Sequence, residues 1–192
     1  MKLNKSGPAI FMYSVICAGV LISAVNFSLY YIYKINANAI LWIGIVAFMV
    51  VYHLWLRIIM GNVTKLFKLN YEMKWFKQRR FEKPLYEFLK VKKWKKKALT
   101  YNPELFSLKK YSCHEIANTM TKAETDHWIN ELISLSSLLF AILWGEFHIF
   151  LITCIVAMLF DMQFILIQRY NRPRILKLTK VQQKKEKVLS KL

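Results

Sequence analysis

The sequence predicts an all-α integral membrane protein with about four transmembrane helices and a basic, amphipathic, cytoplasmic helical region. Three observations lead to this fold class. The chain of 192 residues is 56% hydrophobic, yet its formal net charge is +18. Its apolar residues fall into long blocks and its lysines into separate ones. The longest apolar blocks reach the roughly 20 residues that a helix needs to cross a bilayer core. Together these features indicate a membrane protein with a basic face.

Four apolar segments are candidates for membrane spans, and they cover residues 8–33, 37–60, 128–144 and 147–167. The third is short, so we expect it to begin in the headgroup layer, with Trp128 at the interface. All lysines and arginines except Lys34 and Arg57 lie in the N-terminal tail, in residues 61–127 or in residues 168–192. By the positive-inside rule we expect a single multi-pass domain in the cell membrane, with both termini in the cytoplasm.

Residues 61–127 form the polar, lysine-rich middle of the chain. Residues 63–99 predict mostly helix lying in the headgroup layer, divided at Pro84. The densest run, residues 90–97, places six lysines around Trp94. One interpretation is adhesion to anionic lipid, at about 1 kcal/mol for each lysine. The other is that Lys93 and Trp94 help to bind a phosphate-bearing substrate. Because so much of the basic region lies close to membrane segments, we expect lipid and not nucleic acid as the partner.

A stripe of polar side chains follows this region on a predicted helix. Glu124, His127, Glu131 and Ser134 fall within an arc of about 80° at the helical period of 3.6 residues. An imidazole titrates near neutral pH, so His127 is the best candidate for a general base. Glu124 or Glu131 could fix its tautomer, as the acidic partner does in hydrolase triads. A Glu-x-x-His pair can also bind a metal ion, but no second histidine is near, and we predict no metal site.

Asp161 is the acidic residue of the fourth apolar segment. A carboxylate at the centre of a membrane helix costs about 2.5 to 3.5 kcal/mol. We therefore expect Asp161 to face the interior of the helix bundle and to be a candidate for substrate binding.

The fourth segment runs directly into a second cluster of candidate binding residues, which comprises Arg169, Tyr170, Asn171, Arg172 and Arg174. The planar fork of arginine matches a phosphate or a carboxylate with two parallel hydrogen bonds. Pro173 disfavours helix at the residue before it, so we expect the helix to end near Arg172. These arginines either anchor the helix end or grip a phosphate or an oxyanion.

Three stretches of the sequence carry a resemblance to one family. They are KKWK at residues 92–95, which follows FEK at residues 81–83, then AETDHW at residues 123–128 and QRYNRPR at residues 168–174. In this order they resemble the glycosyl-4,4′-diaponeurosporenoate acyltransferases. The resemblance covers about residues 81–178, and the last stretch is the most specific.

The resemblance implies a membrane acyltransferase that closes a carotenoid pathway by moving a fatty acyl group to a sugar hydroxyl. It implies a glycosylated lipid-phase acceptor and an activated acyl donor, either a coenzyme A thioester or an acyl carrier protein, with no bound cofactor. Two alternatives stay open. One is a non-catalytic membrane protein whose basic face binds anionic lipid or a partner. The other is a small membrane transferase of different chemistry.

Overall fold

In the computed structural model of the chain, residues 7–98 and 103–189 are described, and every regular element among them is helical. The long helices are α1 (Gly7–Phe27), α2 (Asn38–Val63), α5 (Cys113–Ser136) and α7 (Phe147–Leu189). Three short helices lie between them, α3 (Glu82–Phe88), α4 (Val91–Trp94) and α6 (Ala141–Trp144). The predicted all-α class is confirmed. The first six residues, which hold most of the predicted N-terminal tail, lie outside the described ranges, as do residues 190–192.

Four helical stretches are long and apolar enough to cross a membrane, namely Ile10–Ile32, Asn38–Leu66, Cys113–Trp144 and Phe147–Leu178. The first stretch consists of most of α1 and the five-residue π-helical turn that follows it, Ser28–Ile32. The third stretch continues through a 3₁₀ turn, Ser137–Phe140, into α6. Many large apolar side chains on these helices are exposed, including Leu21, Ile142 and Leu159. A lipid bilayer would cover such side chains, so the helices are compatible with a membrane protein.

The chain divides into two compact units, and the prediction of a single membrane domain stays a prediction. The first unit contains residues up to Val63 together with Ile129–Phe160. In it α1 and α2 pack closely at Gly19. A Cβ atom at this position would lie only 2.7 Å from the Val51 side chain. The core of this unit consists of Leu41, Ile45, Met49, Ile149 and Phe150. Gly145, with a φ of 73°, makes the turn between α6 and α7.

The second unit contains Thr64–Trp128 and the chain from Asp161 onward. One of its buried apolar clusters consists of Tyr86, Val91 and Tyr170. More than half of residues 63–98 are helical, as predicted, but in short pieces, since residues 67–73 are not helical and α3 and α4 are short. Pro84 lies in the first turn of α3, where no intrahelical bond needs its missing N–H group. It therefore begins a helix and does not divide one.

The prediction that the last helix ends near Arg172 is also wrong. Helix α7 runs on to Leu189 with Pro173 inside it. A proline within a helix removes one backbone hydrogen bond and crowds the carbonyl four residues earlier, at a cost of about 3 kcal/mol. The side chains of Arg169 and Arg172 bind carboxylates of the same unit. Both arginines lie in the turn that precedes the proline, so these charge-assisted bonds hold that turn in place and help to offset its cost.

Candidate functional site

Helices α5 and α7 bring an imidazole and a carboxylate together. Nδ1 of His127 lies 2.8 Å from Oδ1 of Asp161. The carboxylate is almost fully buried, while 22% of the His127 side chain stays exposed. Phe164, one turn beyond Asp161, stacks on the imidazole at 4.7 Å between ring centroids. In the tautomer that donates Nδ1–H to Asp161, the lone pair of Nε2 is left to accept a proton.

The partner of His127 therefore differs from the two carboxylates that the helical stripe suggested. Glu124 lies on the same helix, but both of its oxygens are engaged by arginines. Glu131 is buried in the first unit, and its part in a site stays a prediction. Asp161 is buried, as expected, and the structure places it against His127. Its part in substrate binding stays a prediction. A sequence gives no spacing rule for a pair that comes from two different helices.

Glu124 is the centre of a buried network of charges. It is fully buried, and Oε1 accepts hydrogen bonds from Nη1 of Arg169 at 2.6 Å and from Nε1 of Trp128 at 3.3 Å. Its other oxygen, Oε2, accepts a hydrogen bond from Nη2 of Arg172. One carboxylate thus joins two arginines of α7 to α5.

A second carboxylate, Glu82 at the start of α3, completes this network. Nε and Nη2 of Arg169 donate to Oε1 of Glu82 at 3.1 and 2.7 Å. The hydroxyl of Tyr86 donates to Oε2 of the same residue at 2.8 Å. Burial, and then this bond to the carboxylate, raise the pKa of Tyr86 above its usual value of 10, so the phenol stays a donor. Arg172 also donates to Oγ1 of Thr121 at 3.0 Å.

The network is balanced in charge, with two carboxylates and two guanidinium groups. The desolvation of such groups is offset only when each is paired and well hydrogen-bonded. Arg169 and Arg172 were expected either to anchor the helix end or to grip a phosphate or an oxyanion. In the structure their charges are already matched by protein carboxylates. Glu82 and Thr121 were not identified from the sequence. A carboxylate partner such as Glu82 could have been expected, because arginine is almost never fully buried unless it is paired.

The remaining residues of the arginine-rich stretch surround Tyr170. The guanidinium of Arg174 lies 3.6 Å from the centroid of this ring, and Nζ of Lys95 lies 4.7 Å from it. Nζ of Lys95 also donates to Oδ1 of Asn171 at 2.5 Å. Nε1 of Trp94 donates to the carbonyl of Leu89 at 2.9 Å, and the indole packs on the core of the unit. Trp94 therefore supports the local fold.

Two cavities open on the second unit. The basic cavity has a volume of about 480 Å³. It is lined by Gln78, Lys83, Tyr86, Glu87, Lys90, Lys92 and Lys93, and by Tyr170, Pro173, Arg174 and Lys177 of α7. Lys93 is part of it. The apolar cleft has a volume of about 240 Å³, and its walls include Trp75, Leu85, Trp128, Met162 and Leu166. Tyr86 lines both cavities.

Within the described parts of the chain, no three His, Cys, Asp or Glu side chains are grouped as a metal ion would require. The Glu124-x-x-His127 pair does not converge on one point, because Glu124 binds the arginines and His127 binds Asp161.

A family model described as glycosyl-4,4′-diaponeurosporenoate acyltransferase matches residues 72–181. The match includes His127, Asp161 and all four charged residues of the buried network, whereas α1 and α2 precede it. No curated protein and no solved structure matches the chain.

Proposed function

The chain belongs to the glycosyl-4,4′-diaponeurosporenoate acyltransferase family, and from this premise we propose that it is a membrane-embedded O-acyltransferase. Its reaction moves a fatty acyl group from an activated donor to a hydroxyl of a glycosylated acceptor held in the lipid phase. The acceptor that the family description names is glycosyl-4,4′-diaponeurosporenoate.

The observation that carries this proposal is the contact between His127 and Asp161. Acyl transfer to an alcohol needs a base at the hydroxyl, and an imidazole held by a carboxylate is a recurring solution. Nε2 of His127 takes the hydroxyl proton while the oxygen attacks the acyl carbonyl. The tetrahedral intermediate then expels the leaving group of the donor, a thiolate in the case of a thioester. The imidazolium returns the proton to it.

Asp161 is the positioning residue of this pair. A carboxylate in an apolar helix segment is costly, and a protein that only adheres to lipid has no need of one. Its burial next to a partly exposed imidazole supports a chemical role. Phe164 fixes the plane of the imidazole by stacking on it.

The buried network positions the helices that carry this pair. Glu124 lies one turn before His127 on α5, and Arg169 lies two turns after Asp161 on α7. Their hydrogen bonds therefore fix the two helices of the second unit close to the reacting group. We assign Glu124, Arg169 and Arg172 this positioning role, and Arg169 also lines the apolar cleft.

The apolar cleft offers a place for the fatty acyl chain. Its walls combine two tryptophans, Trp75 and Trp128, with aliphatic side chains such as Leu85. Trp128 and Met162, which follow His127 and Asp161 directly in sequence, both line it. An acyl chain bound there gains the hydrophobic free energy of burial, about 0.8 kcal/mol for each methylene group.

A second candidate function is binding of anionic lipid without catalysis, and the observation that favours it is the net charge of +18 with many exposed lysines. The two functions differ in their products. Cells that make the glycosylated acceptor should be given the wild-type gene, His127→Ala, His148→Ala or an empty vector, and their lipids measured by mass spectrometry.

Acyl transfer predicts a product heavier by one fatty acyl group minus the hydrogen it replaces. This product should be present with the wild-type gene and with His148→Ala, whose imidazole is exposed and lies in the first unit. It should be absent with His127→Ala at equal levels of inserted protein. Acylation that continues in His127→Ala would show that His127 is not the general base. An unchanged lipid profile with the wild-type gene would favour the lipid-binding function.

A further inference from the structure

The basic cavity has the size of a binding site for a small molecule. Its volume of about 480 Å³ falls in the range of roughly 300 to 1,000 Å³ that is usual for such sites. One wall comes from α3, α4 and the turn between them, and the other comes from α7. The sequence between these walls includes the whole of α5, so the cavity depends on the folded second unit.

Positive charge dominates the lining of this cavity. Its basic side chains are Lys83, Lys90, Lys92, Lys93, Arg174 and Lys177, and its acidic one is Glu87. This distinguishes the cavity from the network around Glu124, where carboxylates and arginines are equal in number. Burial, followed by the charges of Arg174, Lys96 and Lys92, lowers the pKa of Lys95 beside the cavity. The cations here repel one another, and a bound anion would relieve that repulsion.

The backbone at Lys90 is held in the arrangement that forms this lining. Lys90 has a φ of 51°, a left-handed conformation that costs a residue other than glycine about 1 kcal/mol or more. This residue connects α3 to α4 and allows Lys83 on the first helix and Lys92 and Lys93 on the second to line one cavity. Strain of this kind persists where the surrounding structure enforces it, often at ligand sites.

Arg174 adds a group with the geometry to bind phosphate. Its guanidinium lies over the ring of Tyr170, which restricts the orientation of the side chain. The fork of such an arginine can donate two parallel hydrogen bonds to a phosphate. The lysines around it supply further charge without a fixed direction, which suits a ligand with more than one phosphate group.

We propose that the basic cavity binds the clustered phosphate groups of the acyl donor, and that the acyl chain of the same donor passes Tyr86 into the apolar cleft. This proposal rests on the proposed function, since the donor is its substrate. A donor of this chemistry has phosphates at one end and a long apolar chain at the other. Tyr86 lines both cavities, so the two ends would be held on opposite sides of one side chain.

The test compares two pairs of lysines in one run of sequence. Lys92→Gln/Lys93→Gln removes two charges from the cavity, whereas Lys96→Gln/Lys97→Gln removes two exposed charges that do not line it. The purified chain in detergent is titrated with adenosine 3′,5′-bisphosphate and with coenzyme A by calorimetry. We expect the first pair to weaken binding roughly tenfold or more, because it removes charge-assisted contacts, and the second to change it less than about twofold.

A lipid headgroup carries the same phosphate chemistry as the acyl donor. A second experiment therefore tests which of the two molecules supplies the phosphate that binds in the cavity. The chain is placed in phosphatidylcholine nanodiscs with or without phosphatidylglycerol, and retained lipid is measured by mass spectrometry. Retention of phosphatidylglycerol that depends on Lys92 and Lys93, without nucleotide binding, would support the phosphate site and assign its source to a phospholipid. Equal losses from the two pairs of substitutions, or no binding of either ligand, would overturn the site.

Failure of this site and failure of the proposed function give different results. His127→Ala should bind adenosine 3′,5′-bisphosphate as the wild type does, because the imidazole does not line the cavity. Nucleotide binding without acyl transfer in the wild type would count against the function alone. Acyl transfer whose KM for the donor is unchanged in Lys92→Gln/Lys93→Gln would count against the site alone. Arg174→Gln provides an independent variant if the double substitution reduces the amount of folded protein.

Discussion

Asp161 of α7 holds Nδ1 of His127 of α5 at 2.8 Å, across 34 positions of sequence. The carboxylate is buried in an otherwise apolar stretch, and the imidazole keeps access to the exterior. In this arrangement the orientation and tautomer of His127 depend on a residue that is itself almost fully buried. A substitution that keeps the shape of Asp161 but changes its hydrogen bonding should therefore reveal the chemistry.

Asp161→Asn should lower the rate of acyl transfer by about a hundredfold or more. The amide can present N–H to Nδ1, which favours the tautomer with its proton on Nε2, and that tautomer cannot accept the hydroxyl proton. The rate is measured as acylated product formed per amount of folded protein in nanodiscs. The control is Asp126→Asn, which changes the neighbour of His127 in sequence and leaves the pair intact. Equal losses in the two variants would contradict the role given to Asp161.

The helical stretches long and apolar enough to cross a membrane were predictable because they depend on composition over about 20 residues. The first, second and fourth apolar segments begin within a few residues of the observed stretches. The third extends back to Cys113 in the structure, as a helix that carries both the polar stripe and the apolar segment. The secondary structure of the polar middle was harder to predict. Lysines and aromatic residues alternate there without a clear helical period, so helices could not be told from loops. Its two short helices are stabilised by packing of Tyr86 and Val91 on α7.

The candidate residues could be found from sequence, but their partners could not. Glu124, His127, Asp161, Arg169 and Arg172 were all identified from residue type and position. Which carboxylate faces which cation depends on how α5 and α7 pack, and that packing has no local signature. One physical rule narrows the choice, because a buried guanidinium requires a carboxylate. Applied to Arg169 and Arg172, it would have favoured ion pairs within the protein over a free anion site.

Arg172→Lys should lower the stability of the protein. Arg172 is 1% exposed and connects Glu124 with Thr121, so lysine would lose one of these contacts. Breaking a buried ion pair costs about 3 to 5 kcal/mol, and a lysine that keeps part of the pair should cost less. The measurement is the midpoint of thermal unfolding in detergent. Arg174→Lys is the matched control, because Arg174 is exposed and should keep the wild-type midpoint. A midpoint lowered equally in both variants would contradict the buried network.

The orientation of the chain in the membrane can be tested with single cysteines in a background that lacks Cys17, Cys113 and Cys154. We expect Lys97→Cys to be labelled from the cytoplasm and Glu146→Cys from outside, because the basic region should stay inside. Glu146 follows the left-handed turn at Gly145, between two apolar helices. The measurement uses a membrane-impermeant maleimide on intact cells and on inverted vesicles. Labelling of both positions from the same side would exclude the four-span topology.

The last prediction concerns the apolar cleft and the length of the acyl chain that it accepts. Leu85→Trp adds an indole to a wall of the cleft, and the extra volume should exclude long chains more than short ones. We expect the KM for a long-chain donor to rise about tenfold, with a smaller change for a short-chain donor. Phe88→Trp places the same indole on the same helix, at a position that is 81% exposed and does not line the cleft. Equal changes in KM in the two variants, or no change with chain length in Leu85→Trp, would show that the acyl chain lies elsewhere.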